Sequence, residues 1–375
     1  MSKANWAEIY GFKYGAFVHE KNVTDAQYKW PARGLQKALS HLAHARAYNA
    51  LHKKYIDAGD RIAAATLLST AAPGAMAWVT FNDLSHKPVT LSRDNFRTAM
   101  RFSLGIDLPN LTVAAENQTA CGHCGSSFPS ARHYQVHALC EGGASAGGSR
   151  YGSHNFILKA VEKAANDAGV VYSVGTTGQG RHTQLADCRV GTTAGPGGVR
   201  RDRFADIVFP DMTACGYRSQ RVYGDVTLRN VIGLDHNDIT VRNRAYSRAG
   251  AALQHAVAEK TKMYNEAMRG RLNEEVAILA IETGGRMHSQ FHRLITAFAR
   301  FKADKIAGPL PANARGVGYD DSTDPAVKAH RAIYVRTKSS LMGRIQVARV
   351  KTIAERIMRI TMPLTRCTGN EAVSN

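Results

Sequence analysis

No apolar run in the chain is long enough to cross a bilayer. Met1 to Phe17 is polar and aromatic and lacks the form of a secretory signal. Both absences point to an intracellular, reducing setting with no membrane partner. Cysteine is scarce: six residues in 375 do not make a disulfide framework. No repeat and no low-complexity tract is visible. The glycine-rich stretch Val174-Gly-Thr-Thr-Gly-Gln-Gly180 lacks the Lys-Ser/Thr pair of a P-loop. Acidic residues are in deficit, 30 Asp+Glu against 49 Lys+Arg, for a formal net charge of +19. So large an excess points to a polyanion as partner. A basic but merely solvated surface is the plainer alternative.

What is present is an ordinary globular composition, long enough for two or three domains. Residues 32–57 have the apolar spacing of one amphipathic helix, and a second helix is expected over about 60–70. Ser92-Arg-Asp-Asn95 reads as a helix start. Residues 141–153 form a glycine-serine joint. Beyond it the pattern predicts a helix at about 155–168, a strand at 170–174 and a polar loop over 175–200. Strands at 205–209 and 222–228, a helix at about 248–269 and a strand at 276–281 follow. That order, α-β-β-β-α-β, is a small mixed α/β unit. The tail predicts helices over 287–306 and 324–360, the second long and basic. The expected division is a helical region at 1–115, a cysteine-histidine module at 116–150, an α/β core at 151–286 and a basic helical region at 287–375.

Three of the six cysteines fall in one short window. Cys121 and Cys124 form a CxxC turn, and Cys140 follows His137 by three residues. Three thiolates and an imidazole make a tetrahedral set for zinc, which would fold the segment rather than catalyse. His133, one helical turn before His137, is a rival fourth ligand. A redox CxxC or plainly buried cysteines are the alternatives. Cys188, Cys215 and Cys367 are scattered.

Asp206 opens the apolar run Ile207-Val-Phe209, and Asp225 lies inside Val222-Tyr-Gly-Asp-Val-Thr-Leu228. A hairpin with Phe209 opposite Val222 puts Asp206 opposite Asp225, with Cβ atoms about 5 Å apart on one face. Two carboxylates so placed repel unless a cation lies between them, and Mg²⁺ suits the oxygen ligands. Two solvated strand-end carboxylates are the alternative. Asp211, in Pro210-Asp211, is a competing first acid but falls in the expected turn. Lys260 and Tyr264, four apart on a helix, share a face. A lysine near a bound phosphate can orient water and support developing negative charge. A charged helix face explains the same pair without chemistry.

In this order the motifs resemble the restriction-like endonuclease module, of PD-(D/E)xK type, at the C-terminus of site-specific non-LTR retrotransposon polyproteins. The knuckle matches Cys121, Cys124, His137 and Cys140. An Arg-His-Asn element matches Arg150 with His154 and Asn155, and the acidic pair and lysine-tyrosine helix match Asp206, Asp225, Lys260 and Tyr264. The resemblance covers about residues 60–300, including Pro73-Gly-Ala-Met-Ala-Trp78 and Ile281-Glu-Thr-Gly-Gly285. Ala205 departs from it, standing where proline is usual, and the His137–Cys140 spacing is short. The resemblance implies a restriction-endonuclease-like core and Mg²⁺-dependent cutting of DNA, with Asp206, Asp225, Lys260 and Tyr264 as catalytic groups. Arg150, His154 and Asn155 would contact substrate. Zinc would be structural, DNA the favoured partner with RNA as the other choice, and the nucleus the location. A non-catalytic nucleic-acid-binding protein and a ribonucleoprotein component are the alternatives.

Overall fold

The computed structural model describes residues 32–81, 91–106, 149–175, 186–194, 200–231, 245–310 and 324–361. The chain divides into two compact units, Met1–Ala64 and Ala65–Asn375. In the first, α1 (Ala32–Asp57) is the expected helix, though its apolar Leu51 and Ile56 are exposed. The next helix, α2 (Arg61–Thr70), starts where the Asp60 carboxylate accepts from the Ala63 N–H at 2.9 Å. In the second unit Ser92 caps α3 (Arg93–Ser103), its hydroxyl accepting from the Asn95 N–H at 3.1 Å.

The second unit is mixed α/β. Its elements run α4 (Ser149–Ala168), β1 (Ser173–Val174), β2 (Arg189–Ala194), β3 (Arg200–Phe204), β4 (Ile207–Phe209), β5 (Arg221–Arg229), α5 (Ala251–Asn265), β6 (Glu274–Glu282), α6 (Ser289–Ala307) and α7 (Pro325–Thr361). The main sheet has four strands in the order β1-β4-β5-β6. β4 is antiparallel to β1 and β5, while β6 runs parallel to β5 after the α5 crossover. Phe209 pairs with Val222 and Ile207 with Gly224, the register counted from the sequence.

Both faces of the sheet are covered, as a strand that is apolar on both sides requires. Ile207, Phe209, Val222, Val226 and Leu279 pack with α4, α6 and α7. Val208, Tyr223 and Ile278 face the other way, against Leu253, Tyr264 and Ala267.

Two expectations are corrected and one is refined. The helix α4 begins inside the glycine-serine joint, at Ser149. The segment expected as a loop over 175–200 contains β2, which pairs with β3 as a separate two-stranded sheet. The C-terminal helix is long and basic as expected, with Lys328 and Arg336 exposed, but its middle does not face solvent. Every residue from 341 to 350 is buried, with Arg344 and Arg349 in the interior. A helix buried all round must satisfy its polar side chains internally. Arg344 pairs with Asp167 of α4. Arg349, 0% exposed, donates to the carbonyls of Thr283 and Ala75 and to Gln346 Oε1, the last at 2.7 Å.

Arg349 therefore ties two distant segments. Gly285, at φ 109°, lies so close to Ala75 that a Cβ would meet its Cβ at 2.9 Å and its carbonyl oxygen at 3.0 Å. Gln346 adds a bond to the Gly285 carbonyl at 2.8 Å. Truncating the arginine strands buried acceptors, each costing about 1–3 kcal/mol. Arg349→Met should lower the unfolding free energy by about 2–5 kcal/mol in a denaturant titration. An unchanged midpoint and slope would contradict this account of α7.

Candidate active site

Asp206 lies one residue before the start of the β4 ladder. Its N–H donates to the Gly224 carbonyl at 3.0 Å. Its carboxylate turns back across the strand, where Oδ2 accepts from the Val226 N–H at 2.6 Å. Asp206 is thereby fixed beside Asp225. Gly224 permits the close approach of β4 to β5, since a Cβ there would meet Ile207 Cγ2 at 2.7 Å.

Asp225 is 3% exposed, in the middle of β5. A carboxylate taken from water at this depth needs partners. α5 provides them. Lys260 Nζ lies 3.1 Å from both carboxylate oxygens, and the Tyr264 hydroxyl donates to Oδ2 at 2.6 Å. The same hydroxyl is 3.0 Å from the Phe204 carbonyl, so one proton is shared between two acceptors. Burial raises the Asp225 pKa first, repulsion from Asp206 adds to it, and Lys260 and Tyr264 oppose both. Burial and then the Asp225 charge raise the Tyr264 pKa, so its phenol stays protonated as a donor.

His154, on α4, reaches the pair from the opposite layer. Its Nε2 is 2.9 Å from Asp206 Oδ2, and its Nδ1 is 3.4 Å from Asn155 Oδ1. Burial alone would lower the imidazole pKa. The hydrogen bond and charge of Asp206 outweigh it, with help from Asn155 and Asp225, and the net shift is upward.

Asp206, Asp225, Lys260, Tyr264, His154 and Asn155 thus converge on one place. Asp211 does not join them. It is exposed, with its carboxylate accepting from the N–H and hydroxyl of Thr213 in a 3₁₀ turn. Of Arg150 only the backbone, in α4, is described. Cys121, Cys124, His133, His137 and Cys140 lie outside the described residues. Cys188 and Cys215 are buried free thiols, pushed up to about 11 and about 12 mainly by burial. Two participants were not foreseen. Phe204 contributes its carbonyl, which any residue could do, and Arg203 adds positive charge near the Tyr264 phenol.

Among the described residues no group of three or more His, Cys, Asp or Glu side chains forms a metal cage. Mg²⁺ does not require one. It commonly takes one or two carboxylates and fills its octahedron with water and substrate phosphate oxygens. Two carboxylates on neighbouring strands, mutually repulsive and mostly screened from solvent, are a donor set that fits it. The same carboxylates also hold Lys260 and His154 as counter-charges.

Compared with known proteins, the chain matches no family model, no curated protein and no solved structure.

The His154–Asp206 pair has a measurable signature. A histidine whose folded pKa is raised contributes stability that is present below its unfolded pKa. That contribution is lost as pH rises through the folded value. An NMR titration should place the His154 midpoint above 6.5. In Asp206→Asn, with burial acting against a weaker partner, the midpoint should drop. Equal midpoints in the two proteins would refute the pairing.

Proposed function

We propose that the second unit is a metal-dependent endonuclease that hydrolyses phosphodiester bonds in nucleic acid, DNA first. The observation that carries this reading is the convergence of Asp206 and Asp225 with Lys260 and Tyr264 from α5. The α-β-β-β-α-β element order supports a restriction-endonuclease-like core of PD-(D/E)xK type, with the β2–β3 hairpin as an insertion. The sequence resemblance to the endonuclease module of non-LTR retrotransposons supports the same reading. The net charge of +19 supports a polyanionic substrate and agrees with a nuclear location.

In the reaction, a water oxygen bonds to phosphorus, a phosphorus–oxygen ester bond breaks, and a proton passes to the leaving oxygen. Asp206 and Asp225 would hold Mg²⁺. When bound, the ion supplies Lewis-acid polarisation of the phosphate and a more acidic water. The Val226 N–H and His154 keep Asp206 oriented. Tyr264, 4% exposed, keeps Asp225 oriented from behind. Lys260, with 28% of its side chain exposed, extends an ammonium to the rim of the site. There it can hold the attacking water and support charge on the phosphate oxygens. Arg150, His154 and Asn155 are the proposed substrate contacts.

A second reading is binding without cutting. It is favoured by the closed ion pair between Lys260 and Asp225, which already neutralises the deeper carboxylate. Plasmid nicking separates the two. With Mg²⁺, the wild type should convert supercoiled DNA to nicked circles. Asp225→Asn should abolish conversion, and Lys260→Ala should slow it by about 10²–10³-fold. Retained DNA binding with no nicking by the wild type would leave only the second reading.

The spacing of Cys121, Cys124, His137 and Cys140 supports a structural zinc. Metal analysis of the purified chain should return about one zinc per molecule, lost in Cys124→Ser. A zinc-free wild type would refute it.

A further inference from the structure

The β2–β3 hairpin lies outside the main sheet and carries Arg200, Arg201 and Arg203 on one strand. A two-stranded hairpin alone is marginal in water, so what holds it decides whether it can act as a rigid part. Its root is well anchored. Cys188 and Val190 are fully buried in the cluster that contains Tyr264, Tyr223 and Ala267. The Ala205 N–H donates to the Cys188 carbonyl at 2.9 Å. Gly191, at φ 154°, passes so near Ala267 that a Cβ would lie 2.9 Å from its carbonyl oxygen.

Beyond the root, the strand is solvated. Arg200 and Arg201 are exposed and Arg203 half-buried. Asp202 is already committed to Arg189, at 2.7 Å. Arg203 donates from Nε to the Thr193 hydroxyl at 2.8 Å. Among the described residues none of Arg200, Arg201 and Arg203 has an ion pair. Several arginines elsewhere in the unit are paired: Arg229 with Glu259, Arg271 with Glu274 and Arg293 with Glu275. Among the described residues, three cations are thus left without an acidic partner on an anchored strand. That strand runs through Phe204, whose carbonyl meets Tyr264, directly to Asp206.

We propose that this hairpin is a phosphate-backbone clamp for a DNA duplex. It would grip the strand within about six nucleotides of the bond held at Asp206 and Asp225, to one side. A strand advances about 3.3 Å per residue, so Arg203 and Arg200 lie at most about 10 and 20 Å from Asp206. One DNA strand advances about 3.4 Å per nucleotide along the duplex axis, which sets the offset. The contacts are to phosphate, so the clamp adds affinity without sequence preference. The offset rests on the nuclease reading; the binding surface itself does not.

The test is the salt dependence of binding by the full chain to a fluorescent DNA duplex of arbitrary sequence, with no divalent ion added. Each neutralised phosphate contact removed should reduce the slope of log affinity against log salt by about one. Arg200→Ala/Arg201→Ala should therefore flatten the slope by about one to two, since neighbouring strand residues point to opposite faces, and weaken binding several-fold or more at moderate salt. Arg200→Lys/Arg201→Lys, which keeps both charges, should retain the slope. Melting temperatures should be equal, because both side chains are exposed. An unchanged slope in the alanine variant overturns the clamp, as does weaker binding with an unchanged slope. A wild type that ignores the duplex overturns it too. Nicking is read separately. An unchanged slope beside intact Mg²⁺-dependent nicking removes the clamp and leaves the nuclease. A flattened slope with a wild type that never nicks removes the nuclease and the offset but leaves the hairpin as a DNA-binding surface.

Discussion

Two carboxylates held against their own repulsion organise this site. Asp225 is buried in β5, and Asp206 stands beside it just before the start of β4. Neither position is favourable for an isolated anion. Each has therefore acquired its own support. Asp225 has Lys260 and Tyr264 from the layer on one side of the sheet, and Asp206 has a strand N–H and His154 from the layer on the other. The covering helices α4 and α5 are in this sense part of the site, because each supplies a cation or a donor that the sheet lacks. A site assembled from both layers cannot form until the sheet and both helices are in place, which couples its geometry to the fold.

The same economy governs the distribution of arginine. Composition shows only an excess of positive charge. In the structure that excess separates into at least three uses. Arg344 and Arg349 are interior struts, joined to Asp167 and to the backbone carbonyls of Thr283 and Ala75. Arg271 and Arg293 are tied to Glu274 and Glu275 near the start of β6. Arg200 and Arg201 are exposed on β3. Pairs such as Arg271–Glu274 already cancel within the +19 total, so where the uncancelled charge sits matters more than its sum.

Much of the core was legible in the sequence because its signals are local. Phe209 and Val222 face each other across the local connection of residues 210–220, so counting away from them along each strand places Asp206 opposite Asp225. Lys260 and Tyr264 are one helical turn apart, which is enough to put both on Asp225. Ser92 and Asp60 carry ordinary capping signatures. What the sequence hid depends on distant partners. The glycine-rich segment before Asp206 shows little alternation of apolar residues, so the β2–β3 hairpin was not visible. Its anchoring depends on contacts with Ala267 and Tyr264, far along the chain. Arg344 and Arg349 look like surface residues on any charge count, since a buried arginine is recognisable only once its acceptors are known. His154 had no partner in the sequence reading; its bond to Asp206 crosses from α4 to the start of β4.

We propose that the opposed aspartates form a divalent-cation site and not merely a salt-bridged core. The most direct measurement is the anomalous diffraction of crystals soaked in Mn²⁺, with Asp225→Asn as reference. A manganese peak is expected within about 2.0–2.3 Å of carboxylate oxygens from both Asp206 and Asp225, absent in the variant. No manganese between them at saturating concentration, with Lys260 still closed on Asp225, would contradict it.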